Sequence, residues 1–308
     1  MPTGATRISA ALSNLAVQYK NEEYIAGKFL KDLPVSKESD YYWIWGNDFR
    51  IPDTERANGA LANMATMGYS TSTYNVKEHA IKDVITDRSR ENTDSPLNLD
   101  RDMTENLTDI IMRRMEYEAM KLCFTTTTWS NNATLTSATS WKGHTTTASP
   151  TGNVLSATGA ILAGSGKRPN TMVMGWNAFE ALKENQNIWE RIKYSERSIV
   201  TEQLLSALFD MQNVYIGSAV YDSAKEGDTV SKTFVWGSDC LVAYFDPQPG
   251  IKKASAALNF RVSWKGNPYR VKKWRAEEVE GDYIEVQTMC APKAVATACA
   301  YLFKTVAL

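Results

Sequence analysis

The stretch from Ser95 to Phe124 constrains the fold most, because one helical pattern runs through all of it. Ser95 followed by Pro96 is typical of an N-cap and the first helical residue. A helix of this length would extend for roughly 40 Å, far more than the usual helix of about 11–12 residues. Its apolar residues recur at steps of three and four: Leu99, Met103, Leu107, Ile110, Ile111, Met115, Ala119 and Leu122.

The charges of this stretch agree with a helix that is buried on one side. Acidic residues open it, where they stabilise the positive end of the helix dipole: Asp100, Asp102 and Glu105. The remaining charged residues are predicted to lie mainly on the other faces: Asp109, Arg113, Arg114, Glu116 and Lys121. The pattern predicts a long structural helix around which the rest of the chain is arranged, and the alternative is a long helix packed across an ordinary domain.

Residues 41–90 predict an extended two-stranded ribbon. An aromatic and β-branched run from Tyr41 to Ile51 is followed by a polar, Gly-containing tip and an imperfectly alternating return strand from Tyr69 to Ile85. A two-stranded ribbon alone is only marginally stable in water. We therefore expect a partner surface for it, in the same chain or in another copy.

The whole chain has the composition of a folded soluble protein, with 43% hydrophobic and 22% charged residues. Its net charge of -1 argues against strong electrostatic attraction to nucleic acid or to a membrane surface. No apolar run is long enough to span a bilayer. The cysteines lack the spacing of a metal site or a secreted disulfide framework, so we expect buried, reduced thiols: Cys123, Cys240, Cys290 and Cys299.

The other segments follow in a mixed order of helices and strands. Residues 1–40 predict a weakly structured N-terminal arm, and residues 153–216 predict a compact α/β unit in which helix and strand alternate. From Thr233 strands dominate, and the apolar C-terminal tail from Ala294 must be buried or paired. The predicted fold class is therefore α+β.

The sequence predicts no catalytic centre, no metal site and no cofactor. With only His79 and His144, a histidine metal centre or a Ser-His-Asp triad is hard to assemble. The run from Gly164 to Lys167 resembles a phosphate-binding loop, but Arg168 stands where that motif needs Ser or Thr. We interpret this run as the end of a helix and a turn.

The order of arm, ribbon, long helix, α/β unit and strand-rich remainder resembles the Hong Kong 97-type major capsid protein of tailed bacteriophages. Short tracts strengthen the resemblance: Lys20 to Ala26, Ser95 to Leu97 with Asp100 to Asp102, Arg168 to Thr171, and Glu190 to Ser195. The resemblance covers nearly the whole chain.

By this resemblance the chain divides into an N-terminal arm (1–40), an extended loop (41–90), a peripheral domain (91–167 and 247–308) with a spine helix (95–124), and an axial domain (168–246). The function it implies is the major capsid protein of a tailed phage, which forms hexamers and pentamers of an icosahedral shell around a double-stranded DNA genome. It also implies assembly in the host cytoplasm, a separate scaffolding protein, a portal, weak non-specific contact with DNA and no membrane partner. The subunit interface would include these residues: Tyr41, Trp43, Trp45, Arg50, Arg56, Tyr69, Tyr74, Arg88, Arg90, Arg113 and Arg114.

Two features refine these expectations. Some relatives cross-link their subunits through a lysine of the extended loop, but no lysine lies between Ser39 and Val76, so we expect a non-covalent shell. Arm-like sequence begins almost at residue 1, which favours a separate scaffold over a fused one. The alternatives are an encapsulin-like cargo nanocompartment, which shares the fold, and a soluble α/β enzyme, which the missing motifs disfavour.

Overall fold

The computed structural model describes residues 23–45, 49, 51–64, 68–93, 98–143, 148–192, 200–225, 227–250, 253–263 and 267–308. Most of the predicted N-terminal arm therefore lies outside the described residues. The α-helices are α1 Ala26–Phe29, α2 Asp87–Glu91, α3 Leu99–Cys123, α4 Pro150–Ser165, α5 Trp176–Glu184, α6 Gln186–Ile192 and α7 Glu202–Phe209. The strands are β1 Asp32–Pro34, β2 Ser39–Trp45, β3 Tyr69–Asn75, β4 Lys77–Thr86, β5 Asn131–Thr134, β6 Thr171–Gly175, β7 Asn213–Gly217, β8 Val220–Asp222, β9 Lys232–Phe234, β10 Cys240–Ala243, β11 Ala257–Val262, β12 Tyr269–Ala276, β13 Gly281–Ala294 and β14 Ala300–Lys304.

The predicted long helix is α3, although its beginning differs from the prediction. Asn98 is the N-cap, since its side chain accepts a hydrogen bond from the backbone N–H of Arg101. The predicted cap, Ser95, lies outside the described residues. Asn caps a helix as well as Ser does, so the sequence alone did not choose between the two caps. The 25 residues of α3 give a length of about 37 Å.

Helix α3 connects two hydrophobic clusters, which explains its length. Its first half packs on the inner face of a sheet, with Leu107 and Ile111 against Ile284 and Val286. Its last turns join a second cluster through Ala119 and Cys123. The helix thus supports both halves of the chain.

The first sheet has five strands, with β13 at its centre. Strands β11 and β12 pair with successive parts of β13 on one side, β4 pairs with it on the other side, and β1 lies parallel to β11. The single return strand predicted from Tyr69 to Ile85 is therefore wrong, because the chain divides it at the buried Val76. Only β3 belongs to the ribbon, whereas β4 pairs along its whole length with β13.

The second sheet has the strand order β5-β14-β10-β6-β7. Helices α4 to α7 contribute to the cluster on one of its faces, while α1 and the end of α3 contribute to the cluster on the other. The apolar tail was expected in the peripheral domain with residues 247–308, but β14 lies inside this sheet, between β10 and β5. The reason is that β14 is buried on both faces: Leu302 faces one cluster and Phe303 the other.

The ribbon consists of β2 and β3, which pair antiparallel from Ser39 opposite Asn75 to Trp45 opposite Tyr69. Seven residues per strand make it about 23 Å long. Residues 51–64 at its tip form neither helix nor strand, and every one of them is exposed. The ribbon therefore forms a two-stranded sheet of its own, and its root continues directly into β4 of the first sheet.

All four cysteines are free and buried, as the sequence predicts. Burial raises the pKa of each thiol, to about 11 for Cys290 and well above the usual value for Cys240. The reactive thiolate is therefore scarce at neutral pH. No helix of the described residues is both long and apolar enough to cross a membrane.

Candidate subunit interface

The ribbon and its tip expose more apolar surface than any other element described. Ile51, Leu61 and Met64 of the tip are 98%, 96% and 94% exposed, and Tyr41 of β2 is 70% exposed. Phe49, Trp43 and Tyr69 are also more than half exposed. A concentration of exposed large apolar side chains on one element is typical of an interaction site.

The root of the ribbon, in contrast, is anchored on the chain's own first sheet. Tyr74 stacks on Phe260 with a ring-centroid distance of 4.6 Å and an interplanar angle of 4°, and Tyr42 lies 5.5 Å from the same ring. Lys293 donates a hydrogen bond to the backbone oxygen of Thr73. Tyr74 is only 7% exposed, so its predicted place at the subunit interface is wrong: it belongs to the core of its own subunit.

Trp43 and Tyr69 form an exposed aromatic pair near the tip. Trp43 lies opposite Thr71 in the ladder, so Tyr69 is its diagonal neighbour across the strands. Their ring centroids are 4.9 Å apart in an edge-to-face arrangement. Both rings line a cavity of about 760 Å³ between the ribbon and the body of the subunit. The pair stiffens the ribbon while leaving aromatic surface available to a neighbour.

The predicted interface arginines fall into two groups. Arg90 is committed inside the chain, since it contacts Asp282 at 2.6 Å and Asp100 at 2.8 Å and so ties α2 to β13 and to the start of α3. Arg113 and Arg114 form pairs within α3, each 2.5 Å from the carboxylate of Asp109 or Glu118.

Arg56 in the tip and Arg88 on α2 are exposed. Arg50 lies outside the described residues, as does the side chain of Trp45. Arg114, whose side chain is 57% exposed although it pairs with Glu118, is exposed as well. Among the described arginines predicted for the interface, Arg56, Arg88 and Arg114 are therefore the exposed ones.

Glu116 is a buried structural residue, although the helical pattern predicted it mainly on an outer face of α3. It is 1% exposed, and its two carboxylate oxygens accept hydrogen bonds from the backbone N–H groups of Ile25 and Ala26, both at 2.9 Å, and from the indole of Trp236 at 2.6 Å. Burial raises the pKa of this carboxyl, while the three donors oppose the shift. Its position three residues before the buried Ala119 was the signal that could have placed it inside. Glu116 fixes the point where the N-terminal segment joins α3 and the second sheet.

The described residues contain no group of histidine, cysteine and carboxylate side chains suited to a metal ion. His79 lies partly buried on β4, and His144 is outside the described residues. The run from Gly164 to Lys167 ends α4, with Gly166 in the left-handed conformation at φ 64°. That prediction of a helix end is confirmed, and these observations leave the exposed ribbon as the candidate functional surface.

A protein with a projecting apolar ribbon, a long supporting helix and two sheets fits the class of subunits that build closed shells. Residues 126–307 match the family described as "Phage major capsid protein E". This match spans more than half of the chain, and the chain therefore belongs to that family of phage major capsid proteins.

Known proteins agree with this assignment. The chain is 29% identical over 266 residues to the major capsid protein of Burkholderia phage BcepMu, covering 85% of each. Its fold is similar to that of a phage-related protein from Bordetella bronchiseptica, with a TM-score of 0.72, 22% identity and 99% of each chain covered. The capsid structure of Cyanophage P-SCSP1u gives a TM-score of 0.58 at 9% identity, again over 99% of each chain. The predicted Hong Kong 97-type fold class is confirmed.

The SrpI encapsulin of Synechococcus elongatus also shares the fold, with a TM-score of 0.55, 11% identity, and 97% of this chain and 95% of that chain covered. A likeness of this kind shows the fold alone. The family match therefore decides between the two predicted functions in favour of a phage capsid protein.

Proposed function

We propose that the chain assembles into hexamers and pentamers that close into an icosahedral shell around a double-stranded DNA genome. The observation that carries this proposal is the ribbon tip of residues 51–64, which is exposed throughout and bears Ile51, Leu61 and Met64 without shelter from its own subunit. Burying these three side chains on a neighbour would contribute about 1.5–3 kcal/mol each. A subunit in a shell has many neighbours, so such small terms add up around the particle.

In this proposal the extended loop is the ribbon of β2, β3 and the intervening tip. The peripheral domain then consists of the first sheet and α3, and the axial domain is the second sheet with α4 to α7. These bounds amend the predicted division, since β4 joins the first sheet and β5 and β14 join the second. The scaffolding protein, the portal, assembly in the host cytoplasm and the weak contact with DNA stay predictions.

The proposal is tested by electron microscopy and sedimentation of the purified chain, with and without the products of the neighbouring head genes. We expect capsomers and closed shells of uniform size. The matched variant carries Ile51→Ser, Leu61→Ser and Met64→Ser; it should melt at the same temperature as the parent, because the tip makes no core contacts, and should fail to close shells. A parent chain that stays monomeric at all concentrations and with all partners would refute the proposal.

The contents of the shell separate a capsid from a cargo compartment. A capsid produced in its infected host should contain nucleic acid, measured by the ultraviolet absorbance ratio and by nuclease-protected DNA. A shell filled with one stoichiometric enzyme would favour the encapsulin alternative.

Boiling the assembled particles in detergent tests whether the shell is non-covalent. Lys77 and Lys82, the first lysines after the ribbon, lie on β4 in the first sheet, and Lys82 is held over the rings of Trp274 and Tyr283. Lys293, which contacts the ribbon, is held by its hydrogen bond to Thr73 of the same subunit. We expect a single band at the mass of the chain. A ladder of covalent multimers would contradict this expectation.

A further inference from the structure

Helix α4 presents an outer face that carries no charge. From Ser149 to Gly166 the sequence contains no Asp, Glu, Lys or Arg, and along the exposed side Leu155 and Leu162 are 73% and 50% exposed. An ordinary surface helix carries charged residues on its solvent face. The outer face of α4 therefore has the composition of an interface rather than of a surface in contact with water.

A cavity of about 310 Å³ lies beside this face, between α4 and the end of α7. Its walls are apolar at Leu155 and Phe209, and Arg168, Arg191 and Asp210 stand among the residues that line it. The volume is at the small end of the range for ligand pockets, which suits one large side chain. A guanidinium beside an apolar wall also favours an aromatic ring.

Trp189 on α6 is an exposed aromatic side chain that could fill such a cavity. It is 48% exposed, and within the described part of the chain no ring or cation partner is found for it. Arg191, two residues further along α6, lines the cavity. Two residues correspond to about 200° around a helix, so Trp189 faces away from the cavity of its own subunit.

These two features are complementary and lie on opposite sides of α6. A closed ring of identical subunits needs such a pair, because each subunit joins its neighbours through two different surfaces. An interface in which a surface met its own copy would stop at a dimer. We propose that Trp189 of one copy docks into the cavity between α4 and α7 of the next copy around the ring, with the indole beside Leu155 and the guanidinium groups at the rim. This inference rests on the proposed shell function, since it assumes rings of subunits.

Site-directed cross-linking tests the contact without altering Trp189 or Leu155. Thr151→Cys places a thiol at the cavity, one turn before Leu155, and Gln186→Cys places one on the exposed side of α6, one turn before Trp189. The four native thiols are buried with raised pKa values, so they contribute little background. Assembled particles of the double variant are treated with a short bismaleimide and separated by denaturing electrophoresis.

The proposal predicts a ladder of covalent multimers for the double variant that ends at the size of the ring. Each single variant should stay a monomer, and so should the control that combines Thr151→Cys with Val279→Cys, whose exposed side chain belongs to the other half of the chain. Normal particles without a ladder would overturn the proposed contact and leave the shell function standing. Dimers from Thr151→Cys alone would also overturn it, because they would show that α4 meets its own copy. A parent chain that forms no particles would overturn both.

A second measurement concerns the contribution of the Trp189 side chain to subunit association. Trp189→Ala should weaken capsomer association at least about tenfold, as expected for a tryptophan at the centre of an interface, with an unchanged melting temperature of the free subunit. Trp189→Phe should restore part of the loss. Equal association of the parent and Trp189→Ala would refute the role of the indole.

Discussion

The buried carboxylate of Glu116 offers the sharpest test of how the N-terminal segment is held. Its two oxygens accept three hydrogen bonds, from Ile25, Ala26 and Trp236. In Glu116→Gln one oxygen becomes an NH₂ group, which meets an N–H donor instead of accepting from it. Two buried polar groups then lack partners at about 1–3 kcal/mol each. Relief of the buried charge offsets part of this cost, so we expect the free energy of unfolding to fall by about 2–4 kcal/mol.

The matched control is Glu118→Gln on the same helix. The side chain of Glu118 is 27% exposed and pairs with Arg114 at 2.5 Å, and a partly exposed pair of this kind contributes at most about 1 kcal/mol. Urea unfolding of the dissociated subunit gives both free energies. Hydrogen exchange of the peptide covering Glu23 to Lys31 should accelerate in Glu116→Gln and stay unchanged in Glu118→Gln. Equal effects of the two variants on stability and on exchange would refute this role of Glu116.

Three further predictions concern the acid network, the ribbon root and the thiols. Hydrogen bonding to Arg90 holds the pKa of Asp282 below its usual value of 3.8. The Asp282 carboxylate therefore stabilises the fold above pH 3.8, and this contribution is lost as the pH falls below that value. Between about pH 5 and about pH 3 the urea midpoint should fall less for Asp282→Asn than for the parent. Tyr74→Ala should lower the free energy of unfolding by about 3–5 kcal/mol through loss of the stack on Phe260. Tyr41→Ala should leave the free energy of unfolding unchanged and reduce the yield of shells. A larger loss of stability in Tyr41→Ala than in Tyr74→Ala would contradict the assignment of Tyr74 to the core. The native cysteines should resist a thiol reagent until urea unfolds the chain, and rapid labelling of the folded subunit would contradict their burial.

The long helix and the ribbon could be predicted from the sequence because both are local patterns. The apolar repeat of α3 continues for many turns, so the helix could be predicted without knowledge of its tertiary contacts. Its first residue did depend on them, since Ser95 and Asn98 are equally good caps. Tyr41 and Trp43 of β2 and Arg56 of the tip were predicted as interface residues, whereas the exposed apolar residues of the tip, Ile51, Leu61 and Met64, were not.

Strand pairing over long distances could not be predicted. Lys77–Thr86 continues the alternation of the ribbon, and only its pairing with Gly281–Ala294 assigns it to the first sheet. For the same reason the pairing of β14 with β10 and β5 could not be predicted, although the burial of this apolar tail was. Pairing depends on contacts between residues that lie far apart in the sequence, which local propensity does not encode.

Individual side chains were mispredicted where chemistry and burial disagree. Glu116 is charged and was assigned to solvent, but three donors from other elements compensate its burial. Tyr74 is an aromatic residue in an exposed ribbon, yet it lies at the root, where Phe260 covers it. Both errors follow from tertiary partners that the sequence does not identify.

Hydrogen exchange of residues 51–64 in dissociated subunits and in assembled particles tests the central claim most directly. If this segment is buried only by copies of the chain, its amides should exchange rapidly in the free subunit and at least about tenfold more slowly in the particle. Equal exchange in the two states would contradict the account, because the tip would then gain no shelter from its neighbours.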